Sequence, residues 1–137
     1  MHSEVFIFDD MRKVVFLDRD GVINYDPGDY TRSADDFHFL PGVFEALRRL
    51  NELSFELIVI TNQGGIAKGL YSLEEFYAID QKMHTAFEQN KVRVLETFFC
   101  PHHPDFGRCL CRKPNSLLMQ KAIGKYGVSV ENSVLVG

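Results

Sequence analysis

Apolar positions along this chain follow two rhythms, short unbroken runs and a three-to-four spacing, and the two alternate. Lys13–Asp18 (KVVFLD) is a short β-branched apolar run ending in acid, which predicts a buried strand. Val43–Leu53 carries apolar residues at 43, 44, 46, 47, 50 and 53, the helix period, and Pro41-Gly42 marks its start. ELIVIT over Glu56–Thr61 predicts a second buried strand. Ser72 is placed to cap a helix that runs to about Asn90, with Glu75 three residues later completing a capping box. Val92–Phe99 predicts a third strand, and Ser133–Val136 a fourth. Between these two, Pro114 to about Tyr126 predicts a helix closed by Gly127. Gly21–Leu40 is polar, with Pro27, Gly28 and several Asp, and reads as a loop. Residues 1–12 stand outside the alternation. Their run VFIFDD (5–10) looks like VFLDRD (15–20), and predicts an extra edge strand or a non-native extension.

Strand–helix alternation implies a parallel sheet with right-handed crossovers and helices on both faces, a three-layer α/β/α Rossmann-like sandwich. Ligands of such sheets bind outside the carboxyl ends of the strands. That rule singles out Asp18-Arg19-Asp20-Gly21, Thr61-Asn62-Gln63 and the segment Cys100–Lys113.

Composition narrows the field. At 137 residues the chain is one domain by length, and 45% apolar with 25% charged residues excludes a disordered tail, a collagen-like repeat and a coiled coil. No apolar run is long enough to span a membrane, and the amino terminus lacks the pattern of a secretory signal. A net charge of −4 without a basic stripe argues against a nucleic-acid partner. A cytoplasmic protein is expected. The three cysteines all lie between Cys100 and Cys111, beside His102 and His103. An odd number so clustered points to a metal rather than to disulfides.

Each strand end carries its own chemistry. Asp18 and Asp20 are two carboxylates that repel unless a cation intervenes, and Mg²⁺ favours oxygen ligands together with substrate phosphate. An Asp carboxylate can also serve as nucleophile, with its neighbour as general acid and then base. The plainer alternative is an Asp-Gly turn after a strand. Thr61 offers a hydroxyl and a backbone N–H. Lys113 is a point charge suited to phosphoryl oxygens, and Arg112 has a planar fork suited to a second phosphate or a carboxylate. Cations disfavour a helix start, so this pair implies a bound anion. Cys100, Cys109 and Cys111 with one histidine make the Cys₃His set of a closed structural Zn²⁺ site, the histidine being His102 or His103.

The strings VVFLDRDGVIN, ITNQGG and RKP, in this order and spacing, resemble the first three motifs of the haloacid dehalogenase (HAD) superfamily of phosphohydrolases, across nearly all of Lys13–Gly137. The zinc loop resembles the minimally capped branch of heptose 1,7-bisphosphate phosphatases and histidinol-phosphate phosphatases. DRDGVIN, DFHFLPGV, TNQGGIAKG and CPHHP favour the former, although YDPGDYTRS departs from their usual loop. The resemblance implies a Mg²⁺-dependent phosphatase with a minimal cap, acting on a small phosphorylated sugar in surface-glycan or lipopolysaccharide precursor synthesis. Asp18 would be nucleophile and metal ligand. Asp20 would be acid–base and, through its main chain, metal ligand. Thr61 and Lys113 would hold the phosphoryl group, and Arg112 would recognise substrate. His102 would be the histidine of the zinc set. By position, Asp26, Pro27, Gly28 and Asp29 together with Asn62, Gln63 and Gly64 would line the substrate pocket. The fourth motif should open with an Asp just after SVLVG, so residues 13–137 are expected to be a phosphatase core truncated before it, with reduced activity. A histidinol-phosphate phosphatase and a phosphate-binding member without catalysis are the alternatives.

Overall fold

The computed structural model describes residues 11–113 and 117–137. The expected extension or edge strand over residues 1–12 lies almost wholly outside the described residues, as does the expected helix start at Pro114. Four strands form one sheet in the order β3-β2-β1-β4: β1 (Val14–Leu17), β2 (Glu56–Asn62), β3 (Glu96–Cys100) and β4 (Val134–Val136). Every pairing is parallel. All four carboxyl ends therefore face one edge.

Alternation within the central strands explains the layers. Val15, Leu17, Leu57 and Val59 point to one face, where they meet α1 (Val43–Glu52) and α2 (Leu73–Gln89) through Leu47, Ile79, Met83 and Phe87. Val14, Phe16, Ile58 and Ile60 point to the other, against Leu118 and Ala122 of α3 (Leu117–Tyr126). Both strands are buried on both faces, which is why they read as unbroken apolar runs. Truncating one such side chain to alanine costs about 2–5 kcal/mol.

Helix ends follow local chemistry. Ser72 accepts from the Glu75 N–H and Glu75 reaches back to the Ser72 N–H, so the capping box forms as expected. Gly42 sits at φ 76° before α1 and Gly127 at φ 64° after α3, conformations that glycine adopts without strain.

One expectation changes, and another gains detail. The third strand does not begin at Val92 but at Glu96. Val92 is buried in the core, and the buried Asn51 side chain holds the Arg93 backbone at both its N–H (2.8 Å) and its carbonyl (3.2 Å). Residues 92–95 thus climb from α2 to the sheet on a side-chain clamp, and Leu95 makes the first bond to β2. The polar segment 21–40 is a loop as expected, with one 3-10 turn at Ala34–Asp36, but it is partly buried. Ile23, Thr31 and Phe37 are buried within it, and the Lys82 ammonium donates to the Ala34 and Phe37 carbonyls, tying it to α2.

Candidate active site and metal cluster

Asp18 leaves the carboxyl end of β1, where its N–H bonds the Val136 carbonyl of β4. Its Oδ1 accepts from the Arg19 N–H at 2.9 Å and lies 2.9 Å from Lys113 Nζ. Lys113 Nζ also donates to the Ile60 carbonyl at 2.9 Å. A mobile side chain is thereby reduced to one position over the nucleophile candidate. Its backbone is fixed as well: Asn62 Oδ1 accepts from the Lys113 N–H (2.9 Å), and Asn62 Nδ2 donates to the Lys113 carbonyl (3.3 Å).

Asp20 is held from the opposite side. Its Oδ1 accepts from Arg19 Nε (3.0 Å) and Nη2 (2.9 Å) and from Asn24 Nδ2 (3.0 Å), and its Oδ2 from Gln63 Nε2 (3.2 Å). Gln63 Nε2 also donates to Thr61 Oγ1 at 2.8 Å, while Tyr71 donates its hydroxyl to Gln63 Oε1. Burial pushes the Tyr71 phenol up to about 12, so at neutral pH it is a donor only toward Gln63. That fixes the amide's orientation, and with it the two N–H bonds that join Asp20 to Thr61.

Asn24 and Tyr71 belong to this framework although residue chemistry at the strand ends did not single them out, and so does Arg19, which lies in the strand-end string but carried no role of its own there. Arg19 lies in the bend just after β1, where it is 1% exposed with its guanidinium 5.7 Å from the Phe37 ring centre. Asn24, four residues after Asp20, turns back to it across a tight turn. Nothing in the sequence around Tyr71 signals its contact with Gln63.

Hard oxygen donors fit Mg²⁺ here. Among the described residues, neither Asp18 Oδ2 nor the Asp20 main-chain carbonyl accepts a hydrogen bond, whereas the other carboxylate oxygens do. Gly137 abuts the same place: a Cβ on it would lie 2.5 Å from the Asp18 Cβ.

The zinc expectation has a geometric counterpart. One ligand atom from each of Cys100, His102, Cys109 and Cys111 falls within 4.8 Å of all the others. Contacts within the quartet run from 2.8 Å (Cys100–Cys111) through 3.1 Å (His102 Nδ1–Cys111) to 3.6 Å (Cys100–Cys109). A Zn–S bond of about 2.3 Å corresponds to tetrahedral edges of about 3.8 Å, so small outward shifts would suit the ion. His103 is used otherwise, its Nδ1 accepting from the Asp105 N–H. Burial and the Cys111 thiol push the Cys100 thiol up to about 12. Burial also acts to raise Cys109, but the Arg112 N–H and the neighbouring sulfurs bring it down to about 7. The cluster is locked to β2: the Gln63 N–H donates to the Cys100 carbonyl at 2.7 Å. Gly64 lets the loop close, since a Cβ there would meet Arg112 Nη1 at 3.1 Å and the His102 carbonyl at 3.2 Å.

The structure thus brings Asp18, Asp20, Thr61, Asn62, Gln63 and Lys113 into one network and seats Gly64 against Arg112. Asn62 and Gln63 direct their amides to protein groups. Asp26, Pro27, Gly28 and Asp29 form an exposed arm, with Asp26 bonding the Gly28 N–H and Asp29 pairing with Arg32 at 2.7 Å.

Comparison with known proteins agrees with this arrangement. Residues 13–137 match the family described as polynucleotide kinase 3 phosphatase. The chain is 41% identical over 132 residues to a D-glycero-beta-D-manno-heptose-1,7-bisphosphate 7-phosphatase of Vibrio cholerae, covering 92% of this chain and 70% of that protein. A D-glycero-alpha-D-manno-heptose-1,7-bisphosphate 7-phosphatase of Photorhabdus laumondii is 37% identical, with 91% and 71% covered. The crystal structure of D,D-heptose 1,7-bisphosphate phosphatase from B. bronchiseptica, complexed with magnesium and phosphate, superposes with a TM-score of 0.84 at 38% identity, over 91% of this chain and 69% of that one. With three strand ends carrying the matching motifs on one sheet edge, the chain belongs to the polynucleotide kinase 3 phosphatase family of HAD-like phosphatases, alongside the heptose-1,7-bisphosphate 7-phosphatases.

Proposed function

We propose that this protein removes the 7-phosphate of D-glycero-D-manno-heptose 1,7-bisphosphate through an aspartyl-phosphate on Asp18. The observation that carries the reading is the placement of Lys113 Nζ 2.9 Å from Asp18 Oδ1, a fixed positive charge beside a carboxylate at a strand end. Its relatives' names supply the sugar.

Asp18 attacks phosphorus, and the ester oxygen leaves. Asp20 gives that oxygen its proton, then takes one from the water that hydrolyses the acyl phosphate. Four N–H donors hold the Asp20 carboxyl for both transfers. Lys113 and the Thr61 hydroxyl balance charge on the phosphoryl oxygens, where such reactions gain most from positioning and electrostatics. Asp18 and the Asp20 carbonyl would hold Mg²⁺, which when bound neutralises phosphoryl charge. Because Gly137 packs against Asp18, an acidic residue following it in a longer chain would join this metal site. Zn²⁺ on Cys100, His102, Cys109 and Cys111 is read as structural, since four protein ligands leave no open position. A cytoplasmic location completes the reading. Among the described residues no helix is long and apolar enough to cross a membrane.

The test is phosphate release in the presence of Mg²⁺ from both anomers of the heptose bisphosphate, histidinol phosphate and a 3′-phosphorylated oligodeoxynucleotide. It is run on the 137-residue chain and on a longer one carrying an Asp after Gly137. Preferential release from the heptose bisphosphate is expected, with the longer chain faster. Preference for histidinol phosphate or the oligonucleotide would overturn the substrate. No release by either chain would make this a phosphate-binding member without catalysis.

A further inference from the structure

We infer that Arg19 is a positioning residue of the acid–base step: its buried guanidinium holds one oxygen of Asp20, so that the transferred proton travels on the other. The inference rests on the proposed acid–base role of Asp20, and names the residue that orients it. The two oxygens of that carboxyl are used unequally. Oδ1 accepts three N–H bonds, from Arg19 Nε (3.0 Å), Arg19 Nη2 (2.9 Å) and Asn24 Nδ2 (3.0 Å). An oxygen filled in this way has no lone pair left for a proton. Among the described residues, Oδ2 accepts only from Gln63 Nε2 at 3.2 Å, and the same nitrogen donates to Thr61 Oγ1 at 2.8 Å. Oδ2 therefore keeps room for a proton, and it lies one amide away from Thr61, the proposed holder of the phosphoryl group.

Burial commits Arg19 to this task. Its guanidinium is shut away from solvent against the Phe37 ring. Among the described residues, Asp20 is the one carboxylate paired with it, and Nη1 bonds no protein group. The main chain of Arg19 is fixed too. Its N–H donates to Asp18 Oδ1 at 2.9 Å, and its carbonyl accepts from the Ile23 N–H at 2.8 Å. One residue thus spans both carboxylates, with its backbone on the proposed nucleophile and its side chain on the proposed acid.

Charge gives the contact its catalytic sign. In the first step Asp20 Oδ2 gives its proton to the ester oxygen as the P–O bond breaks, and the electron pair of the O–H bond stays on Asp20. Asp20 becomes an anion as the transition state is reached, against a cation that has no other carboxylate. The contact strengthens along that step, which is what accelerates a reaction. An ester whose leaving group departs as a stable anion needs no such proton, and gains little from Arg19.

First-turnover kinetics with Mg²⁺ test this. Leaving-group release is followed by rapid quench from heptose 1,7-bisphosphate and from a dinitrophenyl phosphate, whose phenolate leaves unprotonated. Wild type, Arg19→Met and Arg19→Lys are compared. With Met, release from the heptose ester should slow about 10²-fold, the scale of a misplaced general acid, a loss about tenfold or more beyond that on the aryl ester. Lys keeps the charge and should restore part of the loss. Equal losses on the two esters would make Arg19 a structural residue only and overturn the inference, as would no loss on the heptose ester. Melting temperatures check the contact without turnover. Asp20→Asn should lower the melting temperature more in wild type than in Arg19→Met, because it strands a buried charge only where the arginine is present. Equal effects in the two backgrounds would also overturn the inference. Release from neither ester by wild type would instead strike the proposed reaction, and leave the melting temperatures to decide whether Arg19 holds Asp20.

Discussion

Asn62 shows how one side chain positions another. Its amide brackets the Lys113 backbone with two hydrogen bonds, so it acts on the phosphoryl group through the lysine. Asn62→Leu removes both bonds. The expected outcome is a loss of about 10²-fold in kcat with little change in KM, the scale of a small misplacement of a reacting group. Asn62→Asp keeps the acceptor and should recover part of the loss; steady-state kinetics on both variants checks this. Tyr71→Phe frees the Gln63 amide to turn, and kcat should fall without loss of fold. Asp20→Asn should lower kcat by about 10²–10⁴-fold, the usual worth of a general acid–base. At this scale the sequence revealed the groups that do chemistry and placed Arg19, Asn62 and Gln63 beside them, but concealed that these three hold the others and that Asn24 and Tyr71 take part. Asp18, Asp20, Thr61 and Lys113 announce themselves by type at strand ends. Arg19 is buried, against the usual habit of arginine, and Tyr71 meets Gln63 only once the chain has turned back.

Elements carry these residues, and their fit is close where β2 gives way to α2. A Cβ on Gly65 would lie 2.4 Å from Tyr71 Cε1 and 3.0 Å from Tyr30 Cγ. Gly65→Ala should therefore destabilise by about 1–3 kcal/mol, read as a lowered midpoint in denaturant. The Cys₃His loop is the second joint. Cys111 lies two residues before Lys113, so stripping the metal with a strong chelator should lower both melting temperature and kcat, and metal analysis before treatment should find one Zn²⁺ per chain. The α3 contact with β3 is the third. Burial acts to raise the Glu96 carboxyl, but hydrogen bonds from Lys125 and Tyr126 hold it below its ordinary value. A folded-state value below the unfolded one stabilises at neutral pH, and that gain is lost as pH falls through the folded value. Glu96→Gln should thus be less stable than wild type at pH 7, and the gap should close in acid; urea titrations at several pH values check it. Helix α1 was legible from its period and the Pro41-Gly42 start, and α2 because its capping box marks its start. The start of β3 was not, because Val92 looks like strand sequence but is packed against the helices while Asn51 takes its neighbour's backbone bonds.

Across the whole molecule, parallel strand direction is what assembles the site. Four strands with a common direction deliver Asp18, Thr61-Asn62, Cys100 and Gly137 to one edge from positions scattered over the chain. That convergence followed from the alternation of runs and periods alone. The packing of segment 21–40 did not, because its buried Ile23 and Phe37 are spaced without a period and its lysine tie comes from α2. The proposed chemistry requires that Asp18 become covalently phosphorylated. The direct measurement is rapid acid quench of the protein turning over heptose 1,7-bisphosphate with Mg²⁺, followed by mass mapping of its peptides. A phosphoryl group on the peptide holding Asp18, absent from Asp18→Asn along with turnover, is the predicted result. Phosphate release with no such adduct, or release that survives Asp18→Asn, would contradict it.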